Sequence, residues 1–266
     1  MVFYLEYWFL PCALLTFGLK FGFLINNKAK MTKKTVLFDL DGTLIDTAPD
    51  FIRIIKAMCI QHNLPIPSDE AIRKQVSAGS KAMIRLMFGE ELANISDDNP
   101  KLLLYRQAFL DAYEADICVD SCLFDGLDAC LSKLESHNIF WGIVTNKPRY
   151  LAEKLLEKLN LTKRCSVLVC PDDVTNTKPD PEPMFLALKQ LNDKFNTSLQ
   201  TKNCVYIGDH IRDIKAGNHA NMHTIVAGYG YISKDSEIYT WGADMVVTSV
   251  DELVRYLYDW IKIDTH

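Results

Sequence analysis

The chain of 266 residues has no excess of positive charge: 29 Lys and Arg stand against 34 Asp and Glu, a formal charge of -5. A mildly acidic protein lacks the diffuse positive field that a phosphate backbone demands, so nucleic acid is not an expected partner. A cysteine framework is missing too. Cys12, Cys59, Cys118, Cys122, Cys130, Cys165, Cys170 and Cys204 are scattered, mostly in apolar company, without one Cys-x-x-Cys pair. Disulfide scaffolds belong to short secreted chains and zinc sites to tight clusters, so reduced, buried thiols of a cytoplasmic protein are expected. The six histidines form no pair at ligand spacing, and there is no internal repeat or low-complexity stretch. With 48% hydrophobic and 24% charged residues, the chain as a whole is neither disordered, nor collagen-like, nor a multi-span membrane protein.

One long hydrophobic run is present, YWFLPCALLTFGLKFGFLI over residues 7–25. It is nearly long enough to cross a bilayer. Pro11, Lys20 and the lack of a preceding basic residue weaken that use, and no small-residue cleavage site marks a signal peptide. Met31 then opens MTKKTVLFDLDGT, which runs straight into a first strand. Residues 1–30 are expected to be an extension upstream of the working start, with a membrane anchor or a packed helix as alternatives. For an anchor, Lys28, Lys30, Lys33 and Lys34 on its C-terminal side would keep the rest of the chain in the cytoplasm. A membrane is a partner only in that case.

From Thr35 onward, short β-branched runs alternate with amphipathic helices. Strands are predicted at 35–38, 140–144, 166–169, 204–207, 224–226 and 245–247, near-continuous apolar runs of the kind buried on both faces of a parallel sheet. Leu151, Leu155, Leu156 and Leu159 share one face of a helix, and Ser249 with Glu252 signals a capping box for a last helix over 250–261. The pattern predicts a doubly wound, mostly parallel α/β sheet. About a hundred residues separate the first two strands, and 49–115 look wholly helical, too long for a crossover. The expectation is a core of 31–46 and 120–266 with a small α-helical cap domain at 47–119, hinged near 48–49 and 118–121.

In such sheets ligands bind beyond the carboxyl ends of the strands. There the sequence offers Asp39, Asp41, Gly42 and Thr43, then Thr145, Asn146 and Lys147, then Lys178, and finally Asp209 with Asp213. Each is weak alone, because an Asp after a strand is often an N-cap. Together the carboxylates repel and resist desolvation unless a divalent cation neutralises them. Oxygen-only ligands select a hard ion, Mg²⁺, which suits a phosphorylated substrate.

FDLDGT (38–43), VTN (144–146), Lys178-Pro179 and GDHIRD (208–213), in that order, resemble the four motifs of the haloacid dehalogenase-like hydrolase superfamily, from about Thr35 to the C-terminus. The resemblance implies a Rossmann-like core, and the helical insertion is similar to the cap of the phosphoglycolate phosphatase-like branch. It implies Asp39 as nucleophile, Asp41 as general acid and then base, and Mg²⁺ held by Asp39, Asp209 and the backbone carbonyl of Asp41. Asp213 would support the ion or fix Lys178. Thr145 and Asn146 would bind the phosphoryl group, with Gly42 and Thr43 beside it, and Lys178 would neutralise charge. Dehalogenases lack the second acid and transport ATPases carry Thr there, so Asp41 points to a phosphatase or phosphomutase.

WGIVTNKP (141–148), CPDDV (170–174), KPDPEP (178–183), YGYI (229–232), WGAD (241–244) and TAPDFI (47–52) resemble the N-acetylmuramic acid 6-phosphate phosphatases of cell-wall recycling. A small phosphorylated metabolite, a sugar or hydroxy-acid phosphate, is the expected partner, with the protein a monomer or dimer. Phosphoglycolate hydrolysis, a sugar phosphomutase and a non-catalytic phospho-ligand sensor are the alternatives. The cap loop Ser77-Ala78-Gly79-Ser80-Lys81 faces the rim, and Gly79, Ser80 and Lys81 are candidate substrate contacts, Lys81 for a carboxylate. His210 is expected to face solvent.

Overall fold

Alternation along the first strand decides the layering: Val36 and Phe38 enter one buried face, Leu37 the other. The computed structural model describes residues 34–233 and 237–262, so the apolar run at 7–25 and Cys12 lie outside the described residues. In chain order β1 (Thr35–Phe38) and β2 (Ile45–Asp46) precede helices α1 (Ala48–Gln61), α2 (Asp69–Gln75), α3 (Ser80–Phe88), α4 (Glu90–Ala93) and α5 (Pro100–Ala115). Next come β3 (Cys122–Leu123), α6 (Leu127–Ser136), β4 (Phe140–Val144), α7 (Arg149–Lys158), β5 (Leu168–Val169) and α8 (Glu182–Phe195). The chain closes with β6 (Cys204–Gly208), α9 (Ile211–His219), β7 (His223–Ala227), β8 (Met245–Val247) and α10 (Val250–Ile261).

Six strands form one parallel sheet in the order β5-β4-β1-β6-β7-β8. Leucines of α6, α7 and α10 cover the Val36 face, while Met184, Leu188 and Leu191 of α8 and Ala216 of α9 cover the Leu37 face. Both faces are therefore sealed, as the apolar strands require. The predicted strand at 166–169 starts only at Leu168, although Ser166 N–H still reaches the Trp141 carbonyl of β4 at 2.9 Å. Ser249 accepts from the Glu252 N–H at 3.2 Å, but Glu252 reaches Thr248 N–H, one residue short of a reciprocal box. Cys59, Cys130, Cys170 and Cys204 are buried as expected, whereas Cys122 is exposed on β3. Among the described residues no helix is long and apolar enough to cross a membrane.

The sequence signalled neither β2 nor β3. These two-residue strands pair antiparallel, Ile45 with Leu123 and Asp46 with Cys122, where the chain leaves for the helical insertion and returns. Asp50 in the first turn of α1 ties the same two crossings. Its buried carboxylate accepts from the Asp120 N–H (3.0 Å), the Ser121 N–H (3.1 Å), the Ser121 hydroxyl and Arg53 (2.6 Å). Removing it strands buried donors, so Asp50→Ala is expected to lower unfolding free energy by about 2–3 kcal/mol. Urea denaturation checks this, and an unchanged midpoint would contradict it.

Candidate active site

The carboxyl ends of β1, β4 and β6 meet at a cavity of about 420 Å³, roofed by α1, α3 and α5. Asp39, Asp41, Thr145 and Asn146 line it, and so do Ser77, Gly79, Ser80 and Lys81 from the insertion. Thus most sequence candidates from both halves converge. Gly42 and Thr43 do not join them. Thr43 is fully buried outside the cavity lining, and Gly42 serves the fold instead. At φ +80° a Cβ there would stand 2.3 Å from Asp209 Oδ2, so only glycine lets that carboxylate approach β1.

Asp39, Asp209 and Asp213 are all buried, each with an oxygen within 4.8 Å of the others. Lys178, with no side-chain exposure, answers them from the loop before α8. Its ammonium donates to Asp39 Oδ1 (2.8 Å), the Val144 carbonyl (3.0 Å) and the Tyr206 hydroxyl (2.8 Å), and stands 2.7 Å from Asp213 Oδ1. Burial opposes ionisation of Asp39, but Lys178 and Arg212 outweigh it and hold its carboxyl below the usual range. Asp213 is pushed up by burial and by Asp39. Asp209 rises to about 8, through burial and the charges of Asp39 and Asp213. Its Oδ2 accepts from the Ser77 hydroxyl (2.6 Å) and the Tyr231 N–H (2.9 Å), while Oδ1 has no partner among the described residues. An orphaned buried carboxylate oxygen facing two further carboxylates fits a hard divalent cation.

Asp41 stands apart from this cluster. Its Oδ1 accepts from the Thr47 hydroxyl (2.7 Å) and from Lys147 Nζ (3.0 Å), an ammonium 4.3 Å from the Tyr113 ring centroid and 4.9 Å from that of Phe51. Lys147 thereby joins the second acid of the core to aromatic walls of the insertion. Sequence analysis placed Lys147 at a strand end but gave it no role, and it missed Arg212, whose guanidinium lines the cavity and donates to the Ser77 carbonyl. Neither residue had a local signal beyond position, because both act on partners remote in sequence. Thr145 Oγ1 accepts the Lys147 N–H (3.1 Å) and Asn146 donates to the Lys178 carbonyl (3.1 Å), so both are fixed at the rim. Lys81 lies 3.1 Å from the exposed Asp97 carboxylate, which Arg85 also engages at 2.6 Å. His210 is a helix cap, not a solvent-facing side chain. Its Nδ1 accepts the Arg212 N–H (3.1 Å), and burial together with Arg212 lowers it to about 4.

The sequence matches the haloacid dehalogenase-like hydrolases over residues 36–227. The chain belongs to that family. It is 42% identical over 228 residues to the N-acetylmuramic acid 6-phosphate phosphatase of Pseudomonas aeruginosa, covering 86% of this chain and 96% of the relative. To the phosphoglycolate phosphatase of Xanthomonas campestris pv. campestris it is 37% identical, covering 83% and 94%. The crystal structure of a predicted phosphoglycolate phosphatase from Haemophilus somnus superposes with a TM-score of 0.71 at 22% identity, over 86% of this chain and 99% of that one. This haloacid dehalogenase-like protein is a phosphatase, with the parallel α/β fold its alternating elements predict.

The raised Asp209 carboxyl generates a test of the cation site. A group titrating near 8 is mostly protonated at pH 7, and a bound divalent cation requires the carboxylate. Cation binding to the metal-free phosphatase is therefore expected to release about one proton at pH 7 and markedly less at pH 9. Calorimetry in buffers of different ionisation enthalpy reads this directly; binding without proton release at pH 7 would refute it.

Proposed function

We propose that this phosphatase is a Mg²⁺-dependent hydrolase of N-acetylmuramic acid 6-phosphate, acting through an aspartyl-phosphate on Asp39. Asp39 Oδ attacks phosphorus as the ester P–O bond breaks, and Asp41 gives its proton to the departing sugar oxygen. Water then attacks phosphorus, Asp41 takes up a proton, and inorganic phosphate leaves with Asp39 restored. Lys178 keeps Asp39 ionised, while Thr47 and Lys147 orient Asp41. Thr145 and Asn146 hold the phosphoryl oxygens. Asp39, Asp209 and the Asp41 carbonyl would bind Mg²⁺, whose charge offsets that of the transferring group, with Asp213 steadying Lys178. Helices α1–α5 act as a cap domain, with Ser77 reaching Asp209 to exclude water. The enzyme would work in the cytoplasm on a product of peptidoglycan recycling.

The observation that carries the chemistry is the pairing of one buried carboxylate held ionised by Lys178 with a second acid across the same cavity floor. The substrate choice rests on resemblance to relatives of that name and on size. A cavity near 420 Å³ falls among sites of roughly 300–1,000 Å³ that enclose whole small molecules, and phosphoglycolate, with about nine non-hydrogen atoms, would leave much of it wet. Phosphate release with Mg²⁺ is expected to favour N-acetylmuramic acid 6-phosphate over 2-phosphoglycolate by a factor of ten or more in kcat/KM. The reverse preference would make the enzyme a phosphoglycolate phosphatase. Separately, Asp39→Asn should lose turnover on every substrate while keeping its thermal midpoint, and near-normal activity would exclude Asp39 as nucleophile.

A further inference from the structure

Among the described residues, two cavity-lining cations, Arg212 and Arg106, make no ion pair with the protein's own acids. Lys178 answers Asp39 and Asp213, Lys147 answers Asp41, and Lys81 answers Asp97. Arg212 stands beside Asp39 and donates to the Ser77 carbonyl. Arg106 remains. Its Nε donates to Ser80 Oγ at 3.0 Å, which fixes the guanidinium plane, and its two terminal nitrogens have no acceptor among the described residues. On α5 it shares the cavity-lining face with Phe109, Leu110 and Tyr113, at the spacing of successive turns.

That face acts as a ruler. Tyr113 marks the catalytic end, because Lys147 Nζ lies 4.3 Å from its ring and 3.0 Å from Asp41. Arg106 is two turns earlier, about 10 Å along the axis. We propose that Arg106 is a specificity residue that binds a second anion of the substrate, a carboxylate far from the phosphate, through its two free nitrogens. The inference rests on the sugar-phosphate substrate named above. In N-acetylmuramic acid 6-phosphate the lactyl carboxylate lies roughly 7–8 Å from the ester oxygen when extended, a gap that an arginine side chain closes. In phosphoglycolate that separation is roughly 3 Å, less than half as long. A planar fork suits carboxylate recognition, and Ser80 supplies its orientation.

The test compares N-acetylmuramic acid 6-phosphate with N-acetylglucosamine 6-phosphate, the same sugar without the lactyl acid, in wild type, Arg106→Gln and Arg106→Lys. Wild type is expected to prefer the acid-bearing sugar. Arg106→Gln should cut the ratio of the two kcat/KM values about tenfold or more, mainly through KM for the acid, and Arg106→Lys should fall between. An unchanged ratio in Arg106→Gln, or a wild type indifferent to the lactyl group, would overturn the role. Running 2-phosphoglycolate beside them separates the two readings: a wild type that prefers it removes the substrate assignment, whereas an unchanged ratio of the two sugars removes Arg106.

Discussion

Three carboxylates buried within 4.8 Å of one another are the constraint around which the rest of this protein is arranged. Isolated, such a cluster would protonate, and the rise of Asp209 to about 8 follows from that tendency. Lys178 reverses it at Asp39 and leaves it in force at Asp209. The asymmetry is built by the fold: Lys178 is itself held by the Val144 carbonyl and the Tyr206 hydroxyl, and Tyr206 donates to that same carbonyl at 2.8 Å. The charge of the site is thus anchored to the backbone of β4 and to a side chain of β6. Strand β1 lies between these two and pairs in parallel with both, which gives that anchor its rigidity.

The insertion is bound to this cluster through few, specific contacts. Tyr231 is the junction: its N–H donates to Asp209, and its hydroxyl accepts the Thr47 and Ala48 N–H groups at the start of α1 while donating to Asp46. Arg73 of α2 grips both oxygens of Asp46 and lies 5.1 Å from the Tyr231 ring centroid. Helix starts leave donors unpaired, and here a distant tyrosine satisfies them where a local Ser or Asp usually would. The position of α1, and with it Phe51 beside Lys147, is therefore set by the same residue whose N–H holds Asp209 Oδ2 in the acid cluster.

What was legible in the sequence follows from range. β1, β4, β6 and β8 were readable because buried parallel strands are apolar throughout, and the residues just after three of them had to face a ligand. Asp39, Asp41, Thr145, Asn146, Lys178, Asp209 and Asp213 come together as that rule requires. β2 and β3 were invisible because two residues carry no period. His210 was misjudged because its capping role depends on the ring nitrogen, not on exposure. Ser77 and Asp209 are 132 residues apart, and Lys147 and Asp41 are 106 apart, so no local pattern announces either bond. Lys81 lines the cavity, and its pairing with Asp97, sixteen positions onward, had no local signal.

Division of labour between the two halves follows from the same geometry. Residues at strand ends are fixed by the sheet's hydrogen bonds, and chemistry that needs oxygens placed to a fraction of an ångström belongs there. The helices bring other groups to the cavity: α5 runs from Tyr113 beside Lys147 to Arg106, and α3 begins at Ser80, which accepts from Arg106. Since Ser77, in the same loop, also donates to Asp209, a change of substrate-facing loop cannot be neutral for the acid cluster. Ser77 and Ser80, two hydroxyls three residues apart, thus tie the acid cluster and Arg106 to one loop.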